Sequence, residues 1–511
     1  MAPDTLQRLH NPALATGEIS RIKSSIMEIP FHPSSARRLI GWKAIIACLL
    51  LATTLQGADS RPHIVFILAD DLTYHDIGPY GGPNVHTPHL DKLAEEGMRF
   101  NRCYQATAMC SPTRHNLYTG LYPVRSGAYP QATWVYPEVK SVAHYLRPLG
   151  YRVGLIGKRH VLPTTAFPFD YLAEENQPDL ALVESYLRED PATPTALFLC
   201  YREPHTPWDM GDPSQYDPAD FELPPNFVDT PRTRELLALY YAEITWLDKQ
   251  VGATMAMLER LGIADNTLLV FAGEQGSAFP FAKWTQYDAG LRSAFIARWP
   301  NVIPAGATTE AMIEYVDMVP TFIDLAGGEP RQDLDGRSFA DVLRGETDHH
   351  KHHTFGIQTT RGITSGPEHY GVRSIRGERY KYILNLTPEA AFSNNITKTD
   401  RKWFSFWKTW VEAGESDSFA RSVTNRFVHR PGEELYDLTT DPYELHNLAE
   451  DPRLEAIKTD LRARLLAWMQ DQGDTGQEAE MAANFRNLKT PEGVAAYPYD
   501  DIPGRRLSGG E

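Results

Sequence analysis

Pro62-His63-Ile64-Val65-Phe66-Ile67-Leu68-Ala69-Asp70-Asp71 reads as a buried strand that ends on two carboxylates. Its apolar run is unbroken and β-branched in part, the pattern of a parallel strand covered on both faces. Adjacent carboxylates repel, so a pair in this place calls for a cation or for an exposed turn. The same plan recurs three times. Tyr151 to Ile156 leads into Gly157-Lys158-Arg159-His160, and Ala196 to Tyr201 into Arg202-Glu203-Pro204-His205-Thr206-Pro207. Thr267 to Ala272 leads into Gly273-Glu274-Gln275-Gly276. Ligands bind at the carboxyl edge of open α/β sheets. Four strands that end on reactive groups therefore predict one composite site.

Helix patterns lie between these strands. Pro88 to Gly97 places Leu90, Leu93 and Ala94 on one face. Arg234 to Leu261 is a long helical stretch stopped at Gly262, and Asp317 can cap a helix that runs to Leu325. The alternation predicts an α/β fold, a large, mostly parallel sheet covered by helices. Composition shifts near residue 345. His349, His350, His352 and His353 surround Lys351 and read as a solvated loop. Gly371 to Leu386 reads as an antiparallel strand pair turning at Arg376-Gly377, and Asp451 to Gln470 as an amphipathic helix. We therefore divide the chain into a leader with signal peptide (1–58), a catalytic domain (59–345), a smaller C-terminal α+β domain (346–471) and an extended tail (472–511).

The 511 residues carry a formal net charge of −16. So acidic a chain makes a poor nucleic-acid partner, and an anionic substrate needs a local basic pocket. Arg37, Arg38 and Lys43 precede the 12-residue apolar run Ala44 to Leu55, with Gly57 and Ala58 as small cleavage-site residues. This predicts export, to a secreted or periplasmic location. The run is short for a membrane span, which needs about 20 residues, so no membrane span is expected. Cys48, Cys103, Cys110 and Cys200 make no disulfide framework. Cys103 and Cys200 could pair or stay buried.

Cys110 opens Cys110-Ser111-Pro112-Thr113-Arg114-His115-Asn116-Leu117-Tyr118-Thr119-Gly120. Proline suits a first helical turn, and a group there feels the positive end of the helix dipole. Alone, the cysteine would read as a buried structural residue. Cys110-x-Pro112-x-Arg114 followed by Leu117-x-Thr119-Gly120 resembles the type I sulfatase signature. Asp70-Asp71, Gly157-Lys158-Arg159-His160, Pro204-His205-Thr206-Pro207 and the stretch Glu434 to Leu448 are similar to further motifs of that family. The resemblance covers most of the chain after the leader and implies the alkaline-phosphatase-like fold.

The resemblance also implies chemistry. Cys110 would be oxidised to formylglycine by a separate formylglycine-generating maturation enzyme. Asp70, Asp71, Glu274, Gln275 and an oxygen derived from Cys110 would hold one calcium ion. Arg114 and Lys158 would hold the nucleophile and the sulfate oxygens, His205 or Lys283 would protonate the leaving group, and His160 would take a proton in the release step.

Two features depart from the common pattern. Glu274-Gln275 stands where the family usually has Asp-Asn, and Lys283 follows Glu274 by only nine residues. The second feature, with Phe279-Pro280, resembles the sulfamidase branch, which acts on N-sulfated glucosamine. The expected substrate is a sulfated carbohydrate. Two alternatives are a phosphodiester or phosphonate monoester hydrolase of the same superfamily and a catalytically silent sugar-binding relative. Five aromatics crowd Lys402 to Trp410. The favoured reading is a helix that packs these rings against the larger domain; helical spacing turns Trp403, Trp407 and Trp410 inward and leaves Phe404, Phe406 and Lys408 as the candidates for sugar contact.

Overall fold

The strand His63–Ala69 (β1) lies in the middle of an eight-stranded sheet. Seven other strands complete it: Met98–Phe100 (β2), Arg152–Gly157 (β3), Asp170–Tyr171 (β4), Thr195–Cys200 (β5), Thr267–Gly273 (β6), Phe295–Arg298 (β7) and Ala307–Thr309 (β8). Their spatial order is β8-β2-β7-β6-β1-β5-β3-β4. β7 runs antiparallel to both neighbours, and the remaining pairs are parallel. This computed structural model describes residues 61–173, 177–398 and 401–499. The leader expected at 1–58 lies outside the described residues.

Successive residues of β1 feed two cores. Val65, Ile67 and Ala69 pack on one side with Leu236, Ile244 and Leu247 of the long helix Pro231–Leu261 (α1). Ile64, Phe66 and Leu68 pack on the other with Val142, Leu146 and Phe322. Each such side chain contributes about 1.5–3 kcal/mol when fully buried, so both faces hold the strand and fix its register. Thr230 caps α1 by accepting from Thr233 N, and Gly262 ends it at φ 71°.

The second sheet is antiparallel, in the order Thr354–Gln358 (β9), Val372–Arg376 (β10), Tyr380–Asn385 (β11) and Glu433–Asp437 (β12). The helix Glu455–Asp471 (α2) covers it through Leu461, Leu465 and Trp468, with the Trp468 ring stacked on Phe355 at 4.9 Å. The described residues form one compact unit, so the change of sheet near 345 is not a break between separate bodies.

Three expectations need correction. The stretch beyond 472 is not an extended tail over its described part, since Gln477–Ala482 (α3) and Pro491–Ala496 (α4) pack back on the protein. Asp474 forms a buried ion pair with Arg373, and buried Glu480 accepts from Thr359 Oγ1 at 2.6 Å. Phe404 and Phe406 are buried, not solvent-facing, and Phe406 stacks on Phe279 at 5.1 Å. The turn Lys402–Phe404 breaks the helical phase before Phe406–Ala413 begins, so one spacing does not run through both. The histidine loop is only partly solvated: His350 is buried beside Asp317 at 3.2 Å, and Lys351 pairs with Glu314 and Asp317.

Candidate active site

Strand register brings the reactive groups to one level. β1 and β6 stay paired to Ala69 opposite Gly273, β1 and β5 to Leu68 opposite Cys200, and β3 and β5 to Gly157 opposite Cys200. Asp70, Glu274 and Lys158 therefore leave the sheet together. Glu274 N donates to Ala69 O at 2.7 Å, Lys158 N to Cys200 O at 2.9 Å, and Asp70 N to Glu203 O at 3.1 Å. Gly157 makes the exit of Lys158 possible. Its φ is 89°, and a Cβ there would lie 2.2 Å from Cys200 O. Asp71 and His160 also have positive φ, 62° and 51°. Such backbone in non-glycine residues gathers at functional sites.

Cys110 is the first residue of the helix Cys110–Thr119, every residue of which is buried. Thr113 N donates to Met109 O at 2.9 Å, and Ser111 N to Gln131 Oε1 at 3.3 Å. The helix start faces the sheet edge. A carboxylate oxygen of Asp70, Cys110 Sγ and a ring nitrogen of His205 all lie within 4.8 Å of one another. Lys283 Nζ donates to Asp71 Oδ2 at 2.7 Å, and Lys158 Nζ donates to Asp70 Oδ2. Lys158, His160 and His205 are half-buried and form the open side, while Asp70, Asp71, Cys110, Arg114, Glu274, Gln275 and Lys283 are buried.

Burial and charge set the protonation states. Burial alone would raise Asp70, but Lys158, His205 and Arg114 outweigh it and hold the carboxyl well below its ordinary range. Burial, then Asp70, pushes the Cys110 thiol up to about 12. Burial would lower Lys158 and Lys283, yet Asp70 and Asp71 respectively raise them, so both stay cationic. Burial, then Lys158 and Arg114, holds His160 well below its ordinary value. Burial, then Lys283, lowers His205 to about 4. His205 Nδ1 contacts Thr206 O at 2.6 Å, which fixes its ring. Both histidines are neutral at pH 7.

Arg114 and Glu274 pair with each other in the floor of the site. The Arg114 guanidinium is fully buried; its Nε and Nη2 donate to the two Glu274 oxygens at 2.9 and 2.6 Å, and Nη1 donates to Lys158 O at 2.7 Å. A buried cation needs its donors filled, so Arg114 braces the floor of the site and Glu274 is its partner. Burial nevertheless raises Glu274 to about 8. Gln275 lies among the carboxylates instead. Its Nε2 donates to Asp71 Oδ1 at 2.6 Å and Asp70 Oδ1 at 3.1 Å, and its Oε1 is buried without a hydrogen-bond partner. Turning that amide would present the orphaned oxygen beside two carboxylates. Such an all-oxygen set fits a hard divalent cation.

Some residues of the site were not singled out in the sequence. Glu243 of α1 accepts from Asp209 N and Met210 N at 2.7 and 2.6 Å and so anchors the loop that carries His205. A glutamate between the inward Tyr240 and Ile244 was its readable signal. Thr73 Oγ1 donates to Ser277 Oγ at 2.8 Å and ties the loops after β1 and β6. No spacing announces that pair, nor Gln131.

Residues 62–328 match the family described as Sulfatase, and residues 273–393 match the one described as N-sulphoglucosamine sulphohydrolase, C-terminal. An ulvan-active sulfatase of Formosa agariphila is 33% identical over 463 residues, 88% of each chain. The human N-sulphoglucosamine sulphohydrolase is 27% identical over 84% of this chain and 94% of its own. A solved structure described as a complex with its substrate D-glucosamine-2-N,6-O-disulfate shares the fold at a TM-score of 0.63 and 20% identity, covering 82% of this chain and 99% of that one. The phosphonate monoester hydrolase of Agrobacterium radiobacter also shares it, at 0.61 and 20%, covering 81% and 96%. With its sheet, its cysteine-led helix and these matches, the chain belongs to the type I sulfatase family of the alkaline-phosphatase-like superfamily, in its sulfamidase-like branch.

Proposed function

We propose that this sulfatase-family hydrolase releases sulfate from a sulfated carbohydrate with Cys110 converted to formylglycine and one calcium ion held by Asp70, Asp71 and Gln275. The meeting of two carboxylates, a buried cysteine and two lysines at one sheet edge carries the reading. As a thiol raised to about 12, Cys110 is a weak nucleophile. Converted and metal-loaded, the site would have a nucleophilic oxygen and a cation to offset the substrate's charge. Lys158 Nζ, on the open side, attracts the oxygens of the departing sulfate. Neutral His160 accepts a proton, and a proton for the leaving group resides on Lys283 Nζ, with His205 beside the same Asp71 carboxylate at 3.7 Å.

N-sulfated glucosamine is the favoured substrate, supported by the match over 273–393 and by the human relative. The ulvan-active relative supports a second reading, a sulfated polysaccharide of that kind. The apolar run Ala44 to Leu55 supports export. The test uses enzyme co-produced with a maturation enzyme. Peptide mass spectrometry should show an aldehyde at residue 110, and free sulfate should be scored from N- and O-sulfated disaccharides, ulvan fragments and matched phosphonate esters. Sulfate with a free amine from N-sulfated glucosamine is the expected result. Turnover of phosphonates alone, or full activity with an intact thiol, would sink the proposal.

A further inference from the structure

The second sheet brings a carboxylate to the histidine loop. β9 and β10 are antiparallel, with Thr354 opposite Arg376. Carried two residues further, that register sets His352 of the incoming loop beside Glu378 of the turn between β10 and β11. The side chains follow it. His352 Nδ1 stands 3.8 Å from Glu378 Oε1, and the ring centroids of His349 and His352 are 4.3 Å apart. One ligand atom from each of His349, His352 and Glu378 lies within 4.8 Å of the other two. All three residues are exposed. Among the described residues no hydrogen bond engages these side chains, and 3.8 Å is too long for one between His352 and Glu378. The backbone beneath them is held in place. His350, between the two exposed histidines, is buried beside Asp317, and Lys351 pairs with Glu314 and Asp317 and bridges to Met312 through its backbone. His349 N donates to Thr347 Oγ1 at 3.2 Å, and Gly377 N donates to Tyr380 O at 2.8 Å to close the turn that carries Glu378.

We propose that His349, His352 and Glu378 bind one divalent transition metal of the zinc, nickel and copper class, and that the ion clips the loop before β9 to the turn between β10 and β11. Two imidazoles and a carboxylate are the ligands such ions take, whereas calcium and magnesium call for oxygen alone. Ligand atoms around a tetrahedral zinc lie about 3.3 Å apart. The exposed side chains reach that spacing by small rotations on a fixed backbone, and water completes the coordination. The neighbouring cations do not oppose the ion freely, because Lys351 is paired with Glu314 and Asp317, and Arg379 with Asp437. This set shares no residue with Asp70, Cys110 and His205 at the candidate active site. It also accounts for the two histidines of the loop that stay in solvent, which the sulfatase chemistry does not use.

The test titrates the full chain, free of any affinity tag and saturated with calcium, with zinc chloride in a calorimeter. One zinc ion should bind in the presence of excess calcium. His349→Ala, His352→Ala and Glu378→Gln should each weaken that binding at least about tenfold. All three changes are on the surface, so the variants should fold as the wild type does. Zinc should also raise the melting temperature of the wild type and leave that of His352→Ala unmoved, because an ion bound only by the folded state stabilises it. Cys110→Ala separates the two metal sites: zinc at the proposed site survives that change, and zinc held by Asp70, Cys110 and His205 does not. An anomalous diffraction peak at the zinc edge between His349, His352 and Glu378 would give the same answer directly. No zinc bound beside calcium, binding that the three surface substitutions leave unchanged, or binding lost in Cys110→Ala would overturn the proposal.

Discussion

Gln275 and Glu274 differ by one amide group and sit one residue apart, yet they face different partners. Gln275 reaches between Asp70 and Asp71, while Glu274 spends both oxygens on Arg114. Their truncations should therefore fail differently. Gln275→Ala should lower bound calcium, read by metal analysis of purified enzyme, with little change in urea unfolding of the metal-free protein. Glu274→Ala leaves a buried guanidinium unpaired and should cost about 3–5 kcal/mol in the same unfolding experiment. Equal metal loss with equal stability for both variants would show that Glu274 is itself a ligand. The sequence pattern treated the two as one pair, because two adjacent polar residues after a strand carry no mark of which way each one turns.

At the scale of elements, the long strands were readable because apolar runs bounded by Gly, Lys and Asp leave few other choices. β1, β3, β5 and β6 fall within a residue or so of their expected spans, and the residues that follow them leave one edge of the sheet together. The short strands β2, β4 and β8, of two or three residues, have no period to read. The aromatic helix shows the same limit in reverse. Trp407 and Trp410 point inward as their spacing suggests, but the preceding turn shifts the phase and carries Phe404 and Phe406 inward too. Phe406→Ala should therefore cost about 3–5 kcal/mol of stability, measured in urea, and slow a small aryl sulfate and a carbohydrate alike. Selective loss on the carbohydrate would restore a role in sugar contact. The helix that begins at Cys110 carries a second consequence. All ten of its residues are buried, so a maturation enzyme has no access to the folded site. Folded, unconverted protein incubated with that enzyme should keep its thiol by mass spectrometry, while chains presented unfolded should be converted.

On the scale of the whole molecule, the last described segment ties the second sheet to the loop that carries Gln131. Polar composition made it look like a tail, because its attachment is made by buried polar groups, which a hydrophobic pattern does not reveal. Glu480 is the centre of that attachment. It accepts from Thr359 Oγ1 at 2.6 Å and Thr360 N at 3.3 Å, while its other oxygen is buried without a partner. Burial raises its pKa from 4.5 to about 7, against the opposing hydrogen bond from Thr359 and the charge of Arg373. An acid whose folded pKa lies above its unfolded one binds more protons when folded, so its contribution to stability falls as pH rises through that interval. The effect is complete below pH 4.5 and lost above about pH 7. The shift corresponds to about 3 kcal/mol at most. Docking of α3 and α4 should therefore be tighter at pH 5 than at pH 8. Hydrogen exchange of residues 477–496 should show greater protection at pH 5 once intrinsic rates are corrected. Glu480→Gln, neutral at both pH values, should flatten the difference and hold the segment at pH 8. A difference that survives Glu480→Gln would place the titrating group elsewhere.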